Sequence, residues 1–464
     1  MTTTSDHAGA PPVVGPFRLH ARSRRVLGIA ATSYVGRFGS VLAVLVTIPI
    51  ARTTLPPDLF GVWMMLSGLV GFFAFADLGV GNGVLNRMTA AHAARDRVEQ
   101  RRVMLAGYAC TGVAGAVVLA VWLCWVGLAP VPTAAVGKIA VDHRGEVLRA
   151  LHLFVILLAI NIPASLVQKM QLGLQCGHWV GCAQFGAAAG TLVGVPAVLA
   201  LGGGLPALVM ASLGMQVTSN VVNAWLWHRR DPSTDGSILP APHRRAPEWR
   251  MVVSLLRTGC LFLVLQLAAA FAFQSDAIVI GHQLGQAAYG DFAVVQRVFL
   301  AASSILLAGL GGLWPAIGEA LASRDIAWVR LTLLRSYAFV FAVTGASCLA
   351  LAISMPHILR LWVGMHAPLP TALLVVLAAW TIVEAMGNVS GMFLNAAGLL
   401  RAQIVLAVVM SSAAFAGKWY LVGTLGAWGA VLATLTAYSL ISVPMQFQLV
   451  RRFLRETELL HARH

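Results

Sequence analysis

Apolar residues recur along the chain in runs of roughly 20 residues, separated by short polar or basic stretches. A helix of that length crosses the hydrocarbon core of a membrane. The pattern therefore predicts an all-α polytopic membrane protein with about twelve transmembrane helices. They are expected near residues 27–50, 60–84, 103–128, 150–171, 179–201, 205–227, 252–280, 288–313, 337–355, 371–395, 401–423 and 426–449.

Composition and charge agree with a membrane location. Hydrophobic residues make up 58% of the chain and charged residues only 11%, which excludes a soluble globular protein. The net charge of +15 does not predict a nucleic-acid partner, because the basic residues recur between the apolar runs and do not gather in one patch. We expect membrane lipids, and no nucleic acid, among the partners.

The distribution of Lys and Arg predicts the orientation of the spans. Within these limits 21 of the 32 basic residues lie in the N-terminal tail, the even-numbered loops and the C-terminal tail, 5 lie in the odd-numbered loops and 6 inside spans. By the positive-inside rule both termini are cytoplasmic. Residues 1–26 and 451–464 are then basic cytoplasmic tails.

The spans divide into two halves, 27–228 and 251–450, joined by a polar linker at 229–250 that is rich in Arg and Pro. A shift of 229 residues pairs identical residues in the two halves. Since each half holds six spans, the repeat is parallel, and we expect two six-helix lobes around a central cavity, as in alternating-access transporters. The pairs are Leu55 with Leu284, Gly61 with Gly290, Gly83 with Gly312, Arg95-Asp96 with Arg324-Asp325, Arg101 with Arg330, Leu105 with Leu334 and Tyr108 with Tyr337.

Two arginines lie near the predicted midplane, one in each half. Arg37 is about 15 Å into the first span, with Ser40 on the same helical stripe, and Arg297 is at a similar depth in the eighth. Charges at this depth are costly and usually face the bundle interior. Because a guanidinium group keeps its charge and binds phosphate oxygens bidentately, this pair favours a phosphate or diphosphate ligand.

Other polar side chains at membrane depth complete the candidate site. Glu384 and Asn388 share a face of the tenth span, and Gln266 lies in the seventh; we assign all three to substrate binding. Asp77, Asp276 and Glu384 are candidates for coupling or gating. The alternative is that these groups form structural salt bridges, such as Arg37 with Asp77 or Arg297 with Glu384.

Some chemistry is not expected. The six cysteines lie in or beside apolar segments without metal-ligand spacing, so we predict free thiols, no metal site and no cofactor, although coupling to H⁺ or Na⁺ remains open. Lys418, next to Trp419 and Tyr420 near the outer end of the eleventh span, is expected to extend to the membrane surface.

Several motifs resemble bacterial polysaccharide biosynthesis proteins of the O-antigen flippase type, in the multidrug/oligosaccharidyl-lipid/polysaccharide exporter superfamily. In the first half these are Ile50-Ala-Arg52-Thr-Thr-Leu55-Pro-Pro-Asp58-Leu-Phe60-Gly61-Val-Trp63 and Phe75-Ala-Asp77-Leu-Gly79-Val-Gly81-Asn-Gly83. In the second half they are Ser275-Asp276-Ala-Ile-Val-Ile-Gly281, Tyr289-Gly290, Pro315 and Asn395-Ala-Ala-Gly398-Leu-Leu-Arg401.

The resemblance implies two six-helix lobes in a V and a flippase in the bacterial cytoplasmic membrane. Its substrate would be an undecaprenyl-diphosphate-linked oligosaccharide, moved for surface polysaccharide synthesis, with glycosyltransferases and a glycan polymerase as partners. Relatives place arginines against the diphosphate, and Arg37, Arg52 and Arg297 would be the counterparts here.

Two other functions stay open. A multidrug or cation antiporter of the same superfamily would use carboxylates such as Asp77 and Glu384. A membrane glycan polymerase or ligase would need a substantial outer loop, whereas the longest predicted one runs only from about Pro130 to Arg149, and the sequence shows no convergent nucleophile and base.

Overall fold

We analysed a computed structural model of the chain, which describes residues 35–36, 38–73, 79–128, 141–174, 176–229, 248–309, 313–322, 325–365 and 370–461. Arg37 and Asp77 lie outside these residues, as do the N-terminal tail, positions 230–247 of the linker and positions 130–140 of the longest outer loop. The predictions for them are therefore not tested by the structure.

The described chain is helical apart from turns and short connections. Two π-helical turns, at Met210–Gly214 and Tyr438–Ser442, join consecutive helices into continuous rods. In chain order the helices are α1 Phe38–Thr54, α2 Pro57–Phe73, α3 Val80–Ala93, α4 Arg97–Leu128, α5 Arg144–Gly173, α6 Gly177–Ala200, α7 Leu205–Val209, α8 Met215–Arg229, α9 Trp249–Gln283, α10 Gln286–Gly309, α11 Leu313–Ala322, α12 Ile326–Val363, α13 Thr371–Ala396, α14 Leu400–Leu425, α15 Trp428–Ala437 and α16 Val443–His461.

Local sequence signals set several helix ends. The Asp325 side chain accepts a hydrogen bond from Trp328 N at 3.0 Å, which caps the first turn of α12. Gly364 has φ +67° and ends the same helix, because a residue without Cβ adopts this left-handed conformation at little cost. Gly426 ends α14 with φ +83° and ψ −163°, an extended positive-φ conformation that is essentially confined to glycine.

Eight of the described helical segments are long and apolar enough to cross a membrane. They match the third to sixth and ninth to twelfth predicted spans. The first predicted span is represented by the shorter apolar helix α1, and the second is divided between α2 and α3. The seventh lies within α9, and the eighth overlaps α10. The prediction of a multi-pass helical bundle is confirmed, whereas the number twelve stays a prediction.

Helices α2 and α10, which the 229-residue shift relates, cross each other at a pair of glycines. A Cβ atom added at Gly61 would lie 1.8 Å from the carbonyl oxygen of Gln286, and one at Gly290 would lie 3.2 Å from Gly61 Cα. Gly61 and Gly290 are themselves a pair that the 229-residue shift relates, so the contact joins matching points of the predicted repeat. Only glycine permits this backbone approach.

The two π turns also occupy corresponding positions. They begin 228 residues apart, one residue from the offset found in the sequence. Each interrupts the last long helical rod of its half. Since π turns concentrate at functional sites, they direct attention to the cavities beside them.

Replacing Gly61 with Ala should disrupt the α2–α10 crossing, because the added methyl group would meet rigid backbone and not a movable side chain. We expect a loss of about 1–3 kcal/mol or a failure to fold, measured by thermal unfolding in detergent. Gly112→Ala and Gly345→Ala are matched controls, since nothing lies within 4 Å of the added Cβ at either position. Equal stability of all three variants would contradict the packing described here.

Candidate functional site

A main cavity of about 250 Å³ lies between α2, α9, α10, α13 and α15. Helix α2 contributes Gly68, where an added Cβ would lie 3.4 Å from Tyr289 Oη and 3.8 Å from Arg297 Nη2. The glycine therefore leaves room beside the arginine. The polar side chains that line the cavity are Gln274, Asp276, Tyr289, Gln296, Arg297, Glu384 and Thr434.

Arg297 connects the main cavity with a second one. It lines the main cavity and also a cavity of about 180 Å³ between α1, α2, α6 and the first π turn, which we call the N-half cavity. Among the residues that the structure describes, its side chain has no hydrogen-bond partner and no carboxylate within 4.0 Å. A guanidinium without a partner at this position is costly, which points to a ligand.

Glu384 connects the main cavity with a third. This C-half cavity, of about 240 Å³, lies between α9, α13, α14 and the second π turn, and Asn388 lines it one turn after Glu384. The Asn388 amide donates to the backbone oxygen of Glu384 at 3.0 Å, so the carboxylate is not its acceptor. The alternative ion pair between Arg297 and Glu384 is not formed, although both side chains line the main cavity.

Asp276 forms the ion pair of this site, with a partner that the sequence did not suggest. Lys418 Nζ lies 2.6 Å from Asp276 Oδ1 and donates to Ser275 Oγ at 3.1 Å and to Ala272 O at 2.5 Å. Gln296 donates to the other carboxylate oxygen at 3.3 Å. The expectation that Lys418 extends to the membrane surface is wrong, because its side chain is fully buried between α9 and α14.

The remaining predicted site residues lie in different places. Ser40 lines the N-half cavity. Arg52 lines none of the three cavities; it pairs with Asp291 at 2.5 Å and lies over the Phe60 ring, near the α2–α10 crossing. Gln266, on α9, lines none of them either, and its Oε1 atom has no hydrogen-bond partner in the described chain.

Tyr289 and Gln296 line the main cavity but were not among the predicted site residues; Tyr289 entered the sequence analysis only as part of a family motif. Helical spacing could have found Tyr289, which lies about two turns before Arg297 on α10. It gives no signal for Gln296, which directly precedes Arg297. No group of three His, Cys, Asp or Glu that could hold a metal ion occurs in the portion of the chain described by the structure.

A protein-family model matches more than half of this chain. The model of the family described as "Polysaccharide biosynthesis protein" matches residues 27–321 of this chain. No curated protein matches the sequence.

Solved structures share the fold at low sequence identity. An inward-facing multidrug resistance MATE family transporter of the MOP superfamily matches with a TM-score of 0.72 and 15% identity, over 91% of this chain and 98% of that chain. An outward-facing structure of such a transporter gives 0.69 and 15%, over 93% and 96%. A MOP superfamily transporter from Pyrococcus furiosus Vc1 (DSM3638), described as having a binding pocket of reverse polarity, gives 0.64 and 14%, over 94% and 96%.

Replacing Lys418 with Met should leave Asp276 as a buried carboxylate without its cation. We expect a loss of about 3–5 kcal/mol of stability, measured as thermal unfolding of the purified protein in detergent. The double variant Lys418→Met with Asp276→Asn removes both charges and should recover most of that loss. If the double variant is as unstable as the single one, charge pairing is not what Lys418 contributes.

Proposed function

The chain belongs to the polysaccharide biosynthesis protein family, and we propose on this basis that it is an exporter of lipid-linked saccharides. Its substrate would be an oligosaccharide carried on a lipid diphosphate of the undecaprenyl type. It would move this substrate across the bacterial cytoplasmic membrane for surface polysaccharide synthesis. Glycosyltransferases that supply the substrate and a glycan polymerase that consumes it are the partners that such a role requires.

The guanidinium of Arg297, which has no partner among the described residues, carries this proposal. Arg297 is the twelfth residue of the 24-residue helix α10, about halfway along its length, and it lines both the main cavity and the N-half cavity. A diphosphate is a dianion or more at neutral pH and would supply the acceptor oxygens that the arginine lacks. The fork of guanidinium donors binds such oxygens bidentately. A drug-like cation does not carry these anionic oxygens and would be repelled by the arginine.

We further propose that twelve spans form two six-helix lobes, with both termini cytoplasmic, and that the cavity opens to alternate sides of the membrane. Support comes from the contact of the repeat-related Gly61 and Gly290 and from the corresponding π turns. A crossing of equivalent helices lies on the axis that relates two parallel repeats. Rocking of the two halves against each other would open the cavities to one side of the membrane or the other.

A multidrug or cation antiporter is the second candidate, and one observation favours it. The Glu384 carboxylate lines two cavities and has no ion-pair partner within the described residues, so it is available to an organic cation, H⁺ or Na⁺. In either function Glu384 is a better coupling residue than Asp276, because Lys418 already neutralises Asp276.

Replacing Arg297 with Ala should abolish surface polysaccharide when the variant is the only copy in the cell, because the diphosphate loses its binding group. Arg297→Lys should restore part of the activity, since an ammonium keeps the charge without the fork. The measurement is surface polysaccharide by gel staining, normalised to membrane protein level. Arg330→Ala is the control, because Arg330 is exposed on α12. Normal polysaccharide in the Arg297→Ala strain would refute this function.

Replacing Glu384 with Gln separates the two candidate functions. In a drug-sensitive strain, an antiporter should raise the inhibitory concentration of cationic drugs, and Glu384→Gln should remove that protection while Arg297→Ala retains it. For a lipid-diphosphate exporter we expect no protection by the unaltered protein. Drug protection that depends on Glu384 would therefore favour the antiporter.

A further inference from the structure

The N-half cavity has a wall of hydroxyl and amide side chains that the proposed diphosphate contact does not use. Helices α1 and α2 contribute Ser40, Thr47 and Ser67, α6 contributes Thr191, and the first π turn and α8 contribute Ser212 and Gln216. Six polar side chains thus surround one small cavity whose other lining residues are mainly apolar.

Most of these hydroxyl groups present acceptor oxygens to the cavity. Ser40, Thr47 and Ser212 each donate to the backbone oxygen four residues earlier, at 3.0, 2.7 and 2.8 Å. Thr191 donates to the backbone oxygen of Ser212, within the π turn, at 3.3 Å. Since a hydroxyl has one hydrogen, only the oxygen lone pairs are left for a ligand, and they require a donor.

Donors border the same cavity as well, and besides the Gln216 amide they include Trp63 and Arg297. Trp63 is 3% exposed, and its Nε1–H has no hydrogen-bond partner among the described residues. A buried indole N–H ordinarily finds an acceptor, so this one is available to a bound molecule. The guanidinium of Arg297 borders the cavity where it meets the main cavity.

This combination suits a sugar. Each sugar hydroxyl donates and accepts, and so it can satisfy both the acceptor oxygens and the Trp63 donor. The Arg297 charge disfavours a bound cation, and the acceptor wall disfavours a second phosphate. We propose that the N-half cavity binds the sugar attached directly to the diphosphate, while Arg297 holds the diphosphate at its entrance. This inference rests on the proposed function and assigns the sugar to one of the two halves.

The C-half cavity provides an internal control. A shift of 230 residues pairs Ser212 with Ser442 and Gln216 with Gln446, and the second pair members line the C-half cavity beside its π turn. The charged group there is Glu384 and not an arginine. A carboxylate repels a diphosphate, so the sugar next to the diphosphate belongs on the Arg297 side.

The test compares ligands with and without a sugar. The probes are farnesyl diphosphate and farnesyl diphosphate bearing glucose, galactose or N-acetylglucosamine, titrated against the full-length protein in lipid nanodiscs. We expect at least one sugar-bearing probe to bind about fivefold or more tightly than farnesyl diphosphate, as a few hydrogen bonds would produce. Equal binding of all four probes would overturn the sugar site.

Matched double variants locate the preference. The quantity compared is the affinity for the tightest sugar-bearing probe divided by the affinity for farnesyl diphosphate. In the double variant Ser212→Ala with Gln216→Met this ratio should fall to about one. In the double variant Ser442→Ala with Gln446→Met it should stay unchanged. Loss of the ratio only in the second variant would place the sugar in the C-half cavity and overturn the proposal. If the first variant is shown by thermal unfolding to be unstable, Trp63→Phe, which removes only the donor, should lower the ratio about threefold or more. An unchanged ratio in that variant would count against the site.

The failures can be told apart. If none of the probes binds the unaltered protein, the proposed function falls, and the sugar site with it. If farnesyl diphosphate binds and Arg297→Ala weakens it, but no sugar adds affinity, the diphosphate function stands and only the sugar site is refuted.

Discussion

The cost of placing a charge inside a membrane-embedded bundle is the constraint on which the site depends. Lys418 and Asp276 meet it by neutralising each other, with Ser275 and the Ala272 carbonyl oxygen completing the ammonium environment. Arg297 and Glu384 have no neutralising partner among the described residues, although both line the main cavity. Charges without partners among the described residues make this cavity the candidate site for a ligand or ion.

Close packing brings these groups together. The Gly61–Gly290 crossing lets α2 approach α10, and α10 in turn carries Arg297 to the boundary between the main and N-half cavities. Helix α13 carries Glu384 to the boundary with the C-half cavity. The three cavities thus form a series, with Arg297 between the N-half and main cavities and Glu384 between the main and C-half cavities. The π turns lie at its two ends, one in each half.

Much of the fold and part of the site could be predicted from the residues. Apolar runs and basic loops depend on the sequence alone, and so helices and repeat were accessible without coordinates. Arg297, Glu384, Asn388 and Ser40 could be chosen because few ionisable or polar side chains lie within apolar helices. Lys418 was misjudged, since its distance from the end of a span does not reveal whether it faces lipid or a neighbouring helix.

By itself the sequence determined the helical character of the chain, the approximate limits of most helices, the internal repeat and the membership of a family. Only the tertiary structure decided that Asp276 pairs with Lys418, that Arg52 pairs with Asp291 away from the cavities, and that Arg297 is left without a partner among the described residues. The physical reason is that helical periodicity assigns a side chain to a face of its own helix. Which charge meets which depends on how distant helices pack against each other, and that is a property of three dimensions.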